Sequence, residues 1–430
     1  MGKIKKIYAY EIIDSRGYPT IEGRLLLDNG VSVITSIPAG TSRGKSEALE
    51  LRDNDQNRFD GMGVSKAVSY INELIAPKLI GLSPLRQEEV DTWLIKADGT
   101  ENKSKLGGNT ILTVSQLFVK AAAADLKVDL FRYINSLYQS LFKSSIKIER
   151  LPNPIFNIIN GGKHANNNLE FQEFQVIPSS SFSFTEAYRI GIEVYHELQR
   201  VLAYRNANIS VGEEGGFAPN FPTNLDAIEI LNETIAQKNL KMGLDVFLGL
   251  DVAASHFYRD GKYHIKDKPH PLKTVEFMDF IYKLTTNYSI LILEDPLHED
   301  DWQGWANFNQ KISKDIYLVG DDILTTNKER LKRAIREKTC TSVLVKPNQI
   351  GTITETLEVI DLARKNNFNY IVSHRSGETN DSFIADFAVA VQADFVKFGA
   401  SARGERLAKY NRLWQIEREE LKKSDNTLTR

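Results

Sequence analysis

Cysteine is almost absent from this chain of 430 residues, in which Cys340 is the only example. A single thiol cannot close an intrachain disulfide, so packing alone must hold the fold together, as is usual for proteins of a reducing compartment. This scarcity predicts a cytoplasmic protein. Display at the cell surface, or export by a route that needs no signal sequence, stays open.

Long apolar stretches and a marked charge imbalance are also missing. The N-terminus MGKIKKIYAYEIIDSRG lacks the apolar run of a signal peptide, and no later stretch reaches the ~18 apolar residues of a membrane span. The formal net charge is −2, so no overall basic field favours nucleic acid. We therefore expect no membrane span and no nucleic-acid partner, and the function has to be sought in a local site.

The composition is that of an ordinary globular protein, with 42% hydrophobic and 26% charged residues. Strand-like segments within residues 4–36 flank the hairpin signal Asp28-Asn29-Gly30. Helical spacing follows in residues 64–80, 86–96 and 109–124. Strands followed by helices predict a small α+β N-terminal domain.

A second domain is predicted after the irregular, proline-containing segment SSIKIERLPNP. We place the boundary near residue 143, which gives domains of residues 1–142 and 143–430. From about residue 245, short apolar runs alternate with amphipathic helical segments, as in repeated βα units of a (β/α)8-type barrel. In such a barrel the catalytic groups lie at the C-terminal ends of the strands. The ionisable residues that end these runs are Asp251, Glu294, Asp321, Lys346, His374 and Lys397.

Three of these strand-end residues are carboxylates, and a barrel would bring Asp251, Glu294 and Asp321 to one rim. Their mutual repulsion requires a cation, and an all-oxygen ligand set favours a hard ion such as Mg²⁺. The simpler interpretation is that each carboxylate caps the helix that follows it. For a single carboxylate the two interpretations are equally good, whereas three in register favour the metal.

Two lysines share the strand-end placement of the carboxylates. A lysine in a confined cleft beside other cations can lose enough basicity to act as a base, which makes Lys346 a candidate. An isolated lysine after a strand is more often a solvated loop residue, so Lys346 and Lys397 gain weight only as members of the set. The segment SHRSGET adds His374, Arg375 and Ser376, a donor cluster suited to a phosphate group.

Glycine-rich polar loops supply the remaining candidates. VGEEGG places Glu213 and Glu214 before two glycines, a turn that can present a carboxylic acid to a substrate or be an ordinary acidic surface turn. NGGKHANN, which contains His164, and PAGTSRGKSE, which contains Ser42, have the composition of mobile lids.

Taken together, these motifs resemble those of the enolase family. The resemblance runs from DSRGYPT at residue 14 to GERLAKYNRLWQIE ending at residue 417, and includes NGGKHANNNLEFQEF, VGEEGGFAPN, GLDVAAS, EDPLHEDDW, VGDD, KPNQIGT and SHRSGET in this order. It implies an enzyme that reversibly dehydrates 2-phospho-D-glycerate to phosphoenolpyruvate in glycolysis and gluconeogenesis, with two Mg²⁺ per active site. It also implies an enolase barrel behind a smaller α+β domain.

The resemblance further implies a role for each matched position. Lys346 would be the base at C2, and Glu214, assisted by Glu173, the acid at the C3 hydroxyl. Lys397 would neutralise the substrate carboxylate, and His164 would close over the substrate from a lid. The other implied roles are phosphate binding by Arg375 and Ser376, a place beside the leaving group for His374, the tighter Mg²⁺ on Asp251, Glu294 and Asp321, and Ser42 as a ligand of the second Mg²⁺.

The chain departs from the family pattern beside these positions. Familiar enolases usually show DSRGNPT, PSGASTG, VGDEGG and KTGAP, where this chain has Tyr18, Ala39, Thr41, Arg43, Glu213, Phe398 and Ser401. A relative that acts on a related phosphonate, a partner-binding relative that has lost activity, and another barrel enzyme such as a racemase or sugar-acid dehydratase are the alternatives. The complete set of catalytic residues and the lid motifs favour enolase over each of them.

The resemblance also implies a homodimer or higher homo-oligomer built through the N-terminal domain. Glu22 occupies the position of an interface glutamate, but the position expected to hold its arginine partner is Gln415. A buried glutamate without a cation is costly, so another cation should replace the arginine. Arg412 and Arg418 lie one helical turn on either side of Gln415 and are the candidates.

Overall fold

A computed structural model describes residues 1–41, 44–312 and 314–421 of the chain. Two of the residues singled out above, Ser42 and Arg43, lie outside these ranges. Across the described residues, none of the helices combines the length and the apolar character needed to cross a membrane.

The N-terminal part begins with an antiparallel sheet of three consecutive strands, β1 (Ile4–Ile13), β2 (Pro19–Leu27) and β3 (Ser32–Ser36). The hairpin predicted at Asp28-Asn29-Gly30 is confirmed, and Gly30 adopts the positive φ of 91° that favours glycine in this turn. Strand β2 alternates, so that Ile21 and Leu25 point into a core shared with the following helices.

Helices follow the sheet, and the three predicted helical segments are confirmed. The segment predicted at residues 64–80 is divided at a π turn that comes directly before Pro77, a residue without a backbone donor. The helices of this part are Ser65–Ser69, Tyr70–Ile75 (the π turn), Ala76–Leu79, Gln87–Asp98, Gly108–Leu126 and Leu130–Phe142, with a short 3-10 turn at Phe59–Gly61.

The predicted barrel is confirmed as a closed ring of eight strands. Around the ring the order is β4-β5-β6-β9-β10-β11-β12-β13, and a separate two-stranded ribbon is formed by β7 and β8. The bounds are β4 (Asn153–Asn160), β5 (Glu173–Pro178), β6 (Val246–Asp251), β7 (Tyr258–Arg259), β8 (Lys262–Tyr263), β9 (Ile290–Glu294), β10 (Tyr317–Gly320), β11 (Ser342–Val345), β12 (Asn369–Ser373) and β13 (Phe395–Lys397).

One strand breaks the expected parallel repeat. Strand β5 runs antiparallel to both β4 and β6, while the other neighbouring pairs of the ring are parallel. The link from β4 to β5 is a loop with the 3-10 turn Gly162–His164 and no crossover helix, so the chain returns beside the strand it has just left. The first residue of β5 therefore lies at the rim where the parallel strands end.

The barrel interior is filled by one apolar residue from most strands, including Ile155, Ile292 and Phe395.

Helices surround the ring and cover its outer face. The helices are Phe184–Tyr204, Asn224–Gln237, Thr274–Asn287, Trp302–Lys311, Lys328–Glu337, Pro347–Ile350, Ile353–Lys365, Phe383–Ala390 and Gly404–Ile416, with 3-10 turn Ala254–Phe257 and terminal π turn Glu417–Leu421.

Glu22, expected at a subunit interface, already has a cation within its own chain. Nη2 of Arg24 lies 2.9 Å from its Oε1. Arg412 is instead paired with Asp386 at 2.7 Å, and Arg418 lies over the ring of Trp414 at 4.4 Å. Within this one chain the cation beside Glu22 is Arg24, two positions further along β2, and a cation from the C-terminal helix of a second subunit stays a prediction.

Candidate active site

All six predicted strand-end residues lie at one rim of the barrel. Asp251, Glu294 and Lys397 are the last residues of β6, β9 and β13, and Asp321, Lys346 and His374 directly follow β10, β11 and β12. Glu173 joins them from the first position of the reversed strand β5, in register with Asp251. All seven residues are buried, so their charges interact with little screening by water.

The ammonium group of Lys397 lies at the centre of this rim. Its Nζ is 2.8 Å from Oε2 of Glu294, 3.1 Å from Oδ2 of Asp251 and 3.1 Å from Oε2 of Glu173. Burial opposes the charged form, but these three carboxylates raise the pKa of Lys397 well above its usual value. These three contacts therefore favour the charged form of Lys397.

Lys346 is held by Asp321, across 2.6 Å between Nζ and Oδ2. Oδ1 of Asp321 accepts a hydrogen bond of 2.9 Å from Gln349. Burial, Arg375 and Lys397 act to lower the pKa of Lys346, but Asp321 outweighs them and the pKa is raised. The predicted fall in the pKa of Lys346 is therefore wrong for this arrangement, because the sequence pattern does not show that a carboxylate faces the amine directly.

Repulsion among the carboxylates expected to bind metal is seen in the raised pKa of Glu294. Burial raises the pKa of Glu294 well above its usual value, and Asp251 and Asp321 raise it further while Lys397 opposes. Oε1 of Glu294 is buried and has no hydrogen-bond partner. Buried oxygen ligands with an unsatisfied acceptor fit a hard divalent cation.

The ammonium groups of the two lysines lie against the predicted metal ligands, whose carboxylate oxygens are not gathered around one point. Within the described ranges, two sets of three residues have possible ligand atoms that all lie within 4.8 Å of one another. One set is His164, Glu173 and Glu214, and the other is Asp295, Asp321 and Asp322.

Glu214 and Glu173 form a second functional cluster with His164. Nδ1 of His164 lies 3.5 Å from an oxygen of each carboxylate. Burial and the charge of Glu214 raise the pKa of Glu173, although Lys397 opposes this. Burial alone would also raise the pKa of Glu214, but His164 and His374 hold it well below its usual value. The environment therefore shifts the pKa values of the two carboxyl groups in opposite directions, Glu173 upward and Glu214 downward.

His374 is oriented by the fully buried Arg406. Nη1 of Arg406 lies 2.6 Å from Nδ1 of His374, and because arginine only donates, this nitrogen must be the acceptor. The ring proton is then on Nε2, which lies 3.2 Å from Oε2 of Glu214. Burial, assisted by Arg406, lowers the pKa of His374 to about 4, so the ring is neutral at physiological pH. Asn157 completes the cluster with a 2.8 Å hydrogen bond to Glu214.

The predicted phosphate-binding residues, Arg375 and Ser376, lie beside residues 39–41 of the predicted lid PAGTSRGKSE. Arg375 donates to Glu47 across 2.8 Å and to Asn348 across 3.0 Å. A Cβ atom on Gly40 would come within 1.9 Å of the Arg375 guanidinium, so only glycine allows the segment to pass this closely. The backbone of Ala39 is paired with that of Gly377 by two hydrogen bonds of 2.8 Å.

The departures from the family pattern fall into two groups. Phe398 and Ser401 are buried behind the rim, where Ser401 donates to the carbonyl of Gly191 across 3.2 Å. Tyr18 and Glu213 line a cavity of about 650 Å³ at the entrance to the site. The second group lines this cavity together with His164.

Several residues that complete the site were not predicted from the sequence. Asn157 is the fifth residue of β4 and Gln349 follows Lys346 by three positions, so each could have been suggested only by its closeness to a strand end. Arg406 lies within the helix Gly404–Ile416, where it has no local signal that distinguishes it from a solvated arginine. Glu47 is polar and lies in a loop, and nothing local indicates its contact with Arg375.

Two family models match this chain. The model described as "Enolase, N-terminal domain" matches residues 4–134, and the model described as "Enolase, C-terminal TIM barrel domain" matches residues 148–426. Both the resemblance read from the motifs and the barrel are thereby confirmed.

Curated relatives support the same assignment. The chain is 47% identical over 416 residues to the enolase of Ehrlichia canis (strain Jake), a match that covers 97% of this chain and 96% of the relative. It is 45% identical over 415 residues to the enolase of Ehrlichia chaffeensis, with 96% of each chain covered. The enolase of Ehrlichia ruminantium is 47% identical over 416 residues, with 97% and 96% covered. The chain therefore belongs to the enolase family and is an enzyme of the carbon–oxygen lyase class.

Proposed function

We propose that the chain catalyses the reversible dehydration of 2-phospho-D-glycerate to phosphoenolpyruvate, with Lys346 as base, Glu214 as acid and two Mg²⁺. The observation that carries the proposal is the meeting at one buried rim of two lysines with the carboxylates of Asp251, Glu294 and Asp321. A proton beside a carboxylate is barely acidic, so its removal needs positive charge already in place.

The metal is assigned to Asp251, Glu294 and Asp321, with Ser42 as a ligand of the second ion. The unsatisfied Oε1 of Glu294 and the repulsion among the three carboxylates support this assignment. When bound, Mg²⁺ would supply positive charge against the substrate carboxylate and phosphate.

Lys346 is proposed to remove the C2 proton, which it can do only as the neutral amine. Arg375 and Lys397 favour that form by lowering the pKa, and Asp321 opposes it. Although burial opposes its charged form, three carboxylates raise the pKa of Lys397, which is proposed to neutralise negative charge that moves onto the substrate carboxylate. The two lysines thus have different roles because their carboxylate neighbours differ.

Glu214 is proposed to deliver the proton to the departing C3 hydroxyl. Asn157 and His374 orient its carboxylate, and Glu173, whose pKa is raised by burial and by the charge of Glu214, assists it. His164 faces both carboxylates and lies in the loop between β4 and β5, which suits a residue that closes over the substrate. The neutral His374 ring keeps its Nε2 proton beside the leaving group.

Arg375 and Ser376 are proposed to hold the phosphate. In the resting protein the Arg375 guanidinium is neutralised by Glu47, so binding of a phosphate would exchange one anionic partner for another. Residues 1–142 and 143–430 are proposed as the two domains, and a homodimer or higher homo-oligomer in the cytoplasm as the working form. The lone, buried Cys340 supports a reducing compartment.

The direct test follows absorbance at the phosphoenolpyruvate band after 2-phosphoglycerate is added to the purified full-length chain. We expect absorbance to rise with Mg²⁺ and to stay flat when a chelator is in excess. The reverse reaction, with phosphoenolpyruvate added, should lower the same band. No change in absorbance with Mg²⁺ present would contradict the proposal.

A further inference from the structure

Thr41 lies where three loops around the site meet. Its Oγ1 accepts hydrogen bonds from Nη1 of Arg16 at 2.5 Å and from Oγ of Ser376 at 3.1 Å, and it donates to Oε2 of Glu213 at 2.7 Å. One proton and two lone pairs are the full capacity of a hydroxyl group. The Thr41 hydroxyl is therefore fully used, and it joins the segment of residues 38–41 to three other loops.

Glu213 connects this bond to the acid–base cluster. Its backbone N–H donates to the carbonyl of His164 at 3.0 Å, and its carbonyl accepts from Arg406 at 3.0 Å. The next residue in the chain is Glu214. A bond to the Glu213 side chain thus restrains the loop that presents Glu214 and the loop that carries His164.

The two partners of this bond are both departures from the usual family motifs. PSGASTG has alanine, without a hydroxyl group, at the position of Thr41, and VGDEGG has aspartate, one methylene shorter, at the position of Glu213. Neither family residue would make the same bond. Two differences that lie 172 positions apart in sequence are in direct contact in the structure.

We propose that the hydrogen bond between Thr41 and Glu213 is a latch that holds the segment of residues 38–41 closed over the site, beside Ser376 and Glu214. Thr41 and Glu213 are therefore positioning residues. The inference rests on the proposed dehydration. If only the closed form binds substrate productively, loss of the latch lowers the closed fraction and raises the apparent dissociation constant in proportion. The bond is exposed to water, so its contribution is modest.

The kinetic test compares Thr41→Val, which keeps the shape and removes the hydroxyl, with Glu213→Ala and the double variant. We expect each to raise the KM for 2-phosphoglycerate about two- to fivefold, with kcat changed less than about twofold. The double variant should be no worse than the worse single variant, and Thr41→Ser should restore the wild-type KM. Thr286→Val, which removes a hydroxyl bonded to the Lys283 carbonyl on a distant helix, is the control and should leave both constants unchanged.

A second measurement does not depend on turnover. The backbone N–H of Thr41 donates to Ser376 at 2.7 Å, so amide hydrogen exchange of residues 39–41 reports closure directly. Exchange should be faster in Thr41→Val and Glu213→Ala and normal in Thr41→Ser. Unchanged exchange and KM in both single variants, or effects that add in the double variant, would overturn the latch. Faster exchange with an inactive wild type would support the latch and reject the proposed reaction.

Discussion

Nζ of Lys346 donates to Oδ2 of Asp321 across 2.6 Å, although the two residues are 25 positions apart and follow different strands. The pair joins the proposed base to a proposed metal ligand. Burial opposes the charged form of the amine, but the contact with Asp321 outweighs burial and raises the pKa of Lys346.

Replacement of Lys346 by alanine should abolish dehydration while 2-phosphoglycerate still binds in the presence of Mg²⁺. The base acts in proton removal, and its loss should cost about 10²–10⁴ or more in rate, whereas the phosphate contacts remain. Turnover and calorimetric binding measure the two effects separately. Lys365→Ala removes an exposed lysine paired with Asp361 and serves as the control. Near-normal turnover in Lys346→Ala would remove this residue from the mechanism.

Removal of one anionic ligand should raise the metal requirement steeply. We expect Glu294→Gln and Asp321→Asn to increase the Mg²⁺ concentration for half-maximal activity by more than the roughly 10- to 100-fold typical of losing an outer-shell partner. Mg²⁺ titration of activity measures this. Asp361→Asn, in an exposed pair on an outer helix, should behave as wild type. Full activity of the wild type in excess chelator would reject the metal assignment.

Burial of neutral His374 should make the protein less stable in acid. Its pKa is about 4 when folded and 6.5 in the unfolded reference, so between these values the unfolded chain binds a proton that the folded protein does not. The free energy of unfolding therefore falls as pH falls from 6.5 to about 4, by at most about 3 kcal/mol from this group. Denaturant unfolding across this window should show a shallower fall for His374→Gln. The exposed His196 is the control, and an unchanged slope in His374→Gln would contradict the prediction.

The wild-type chain should sediment as a dimer or larger at micromolar concentration. Because Arg24 neutralises Glu22 at 2.9 Å, Arg24→Ala should weaken an interface built on this sheet by leaving Glu22 without its cation. Arg412→Ala, in which the lost partner is Asp386, tests the alternative that the C-terminal helix supplies the cation. A monomeric wild type would contradict the oligomer, and a dimer weakened only in Arg412→Ala would return the role to that helix.

The sequence by itself determined the strand ends, the barrel and the family. Apolar runs that end in Asp251, Glu294 and Lys397 carry this information locally, because parallel strands of one barrel must end at the same rim. Glu173 was added through resemblance alone, whereas Glu214 was already a candidate from its glycine-rich turn. The positions of the strand-end residues follow from local pattern plus a single rule of topology.

The tertiary structure alone decided how these residues act on one another. That Glu173 reaches the rim depends on the reversal of β5, and that the pKa of His374 is lowered depends on burial of the ring, assisted by Arg406. The raised pKa of Lys346 and the bond between Thr41 and Glu213 depend on contacts between residues far apart in sequence. Distances and burial set the strength of charge interactions, and neither can be read from the pattern of a single strand or loop.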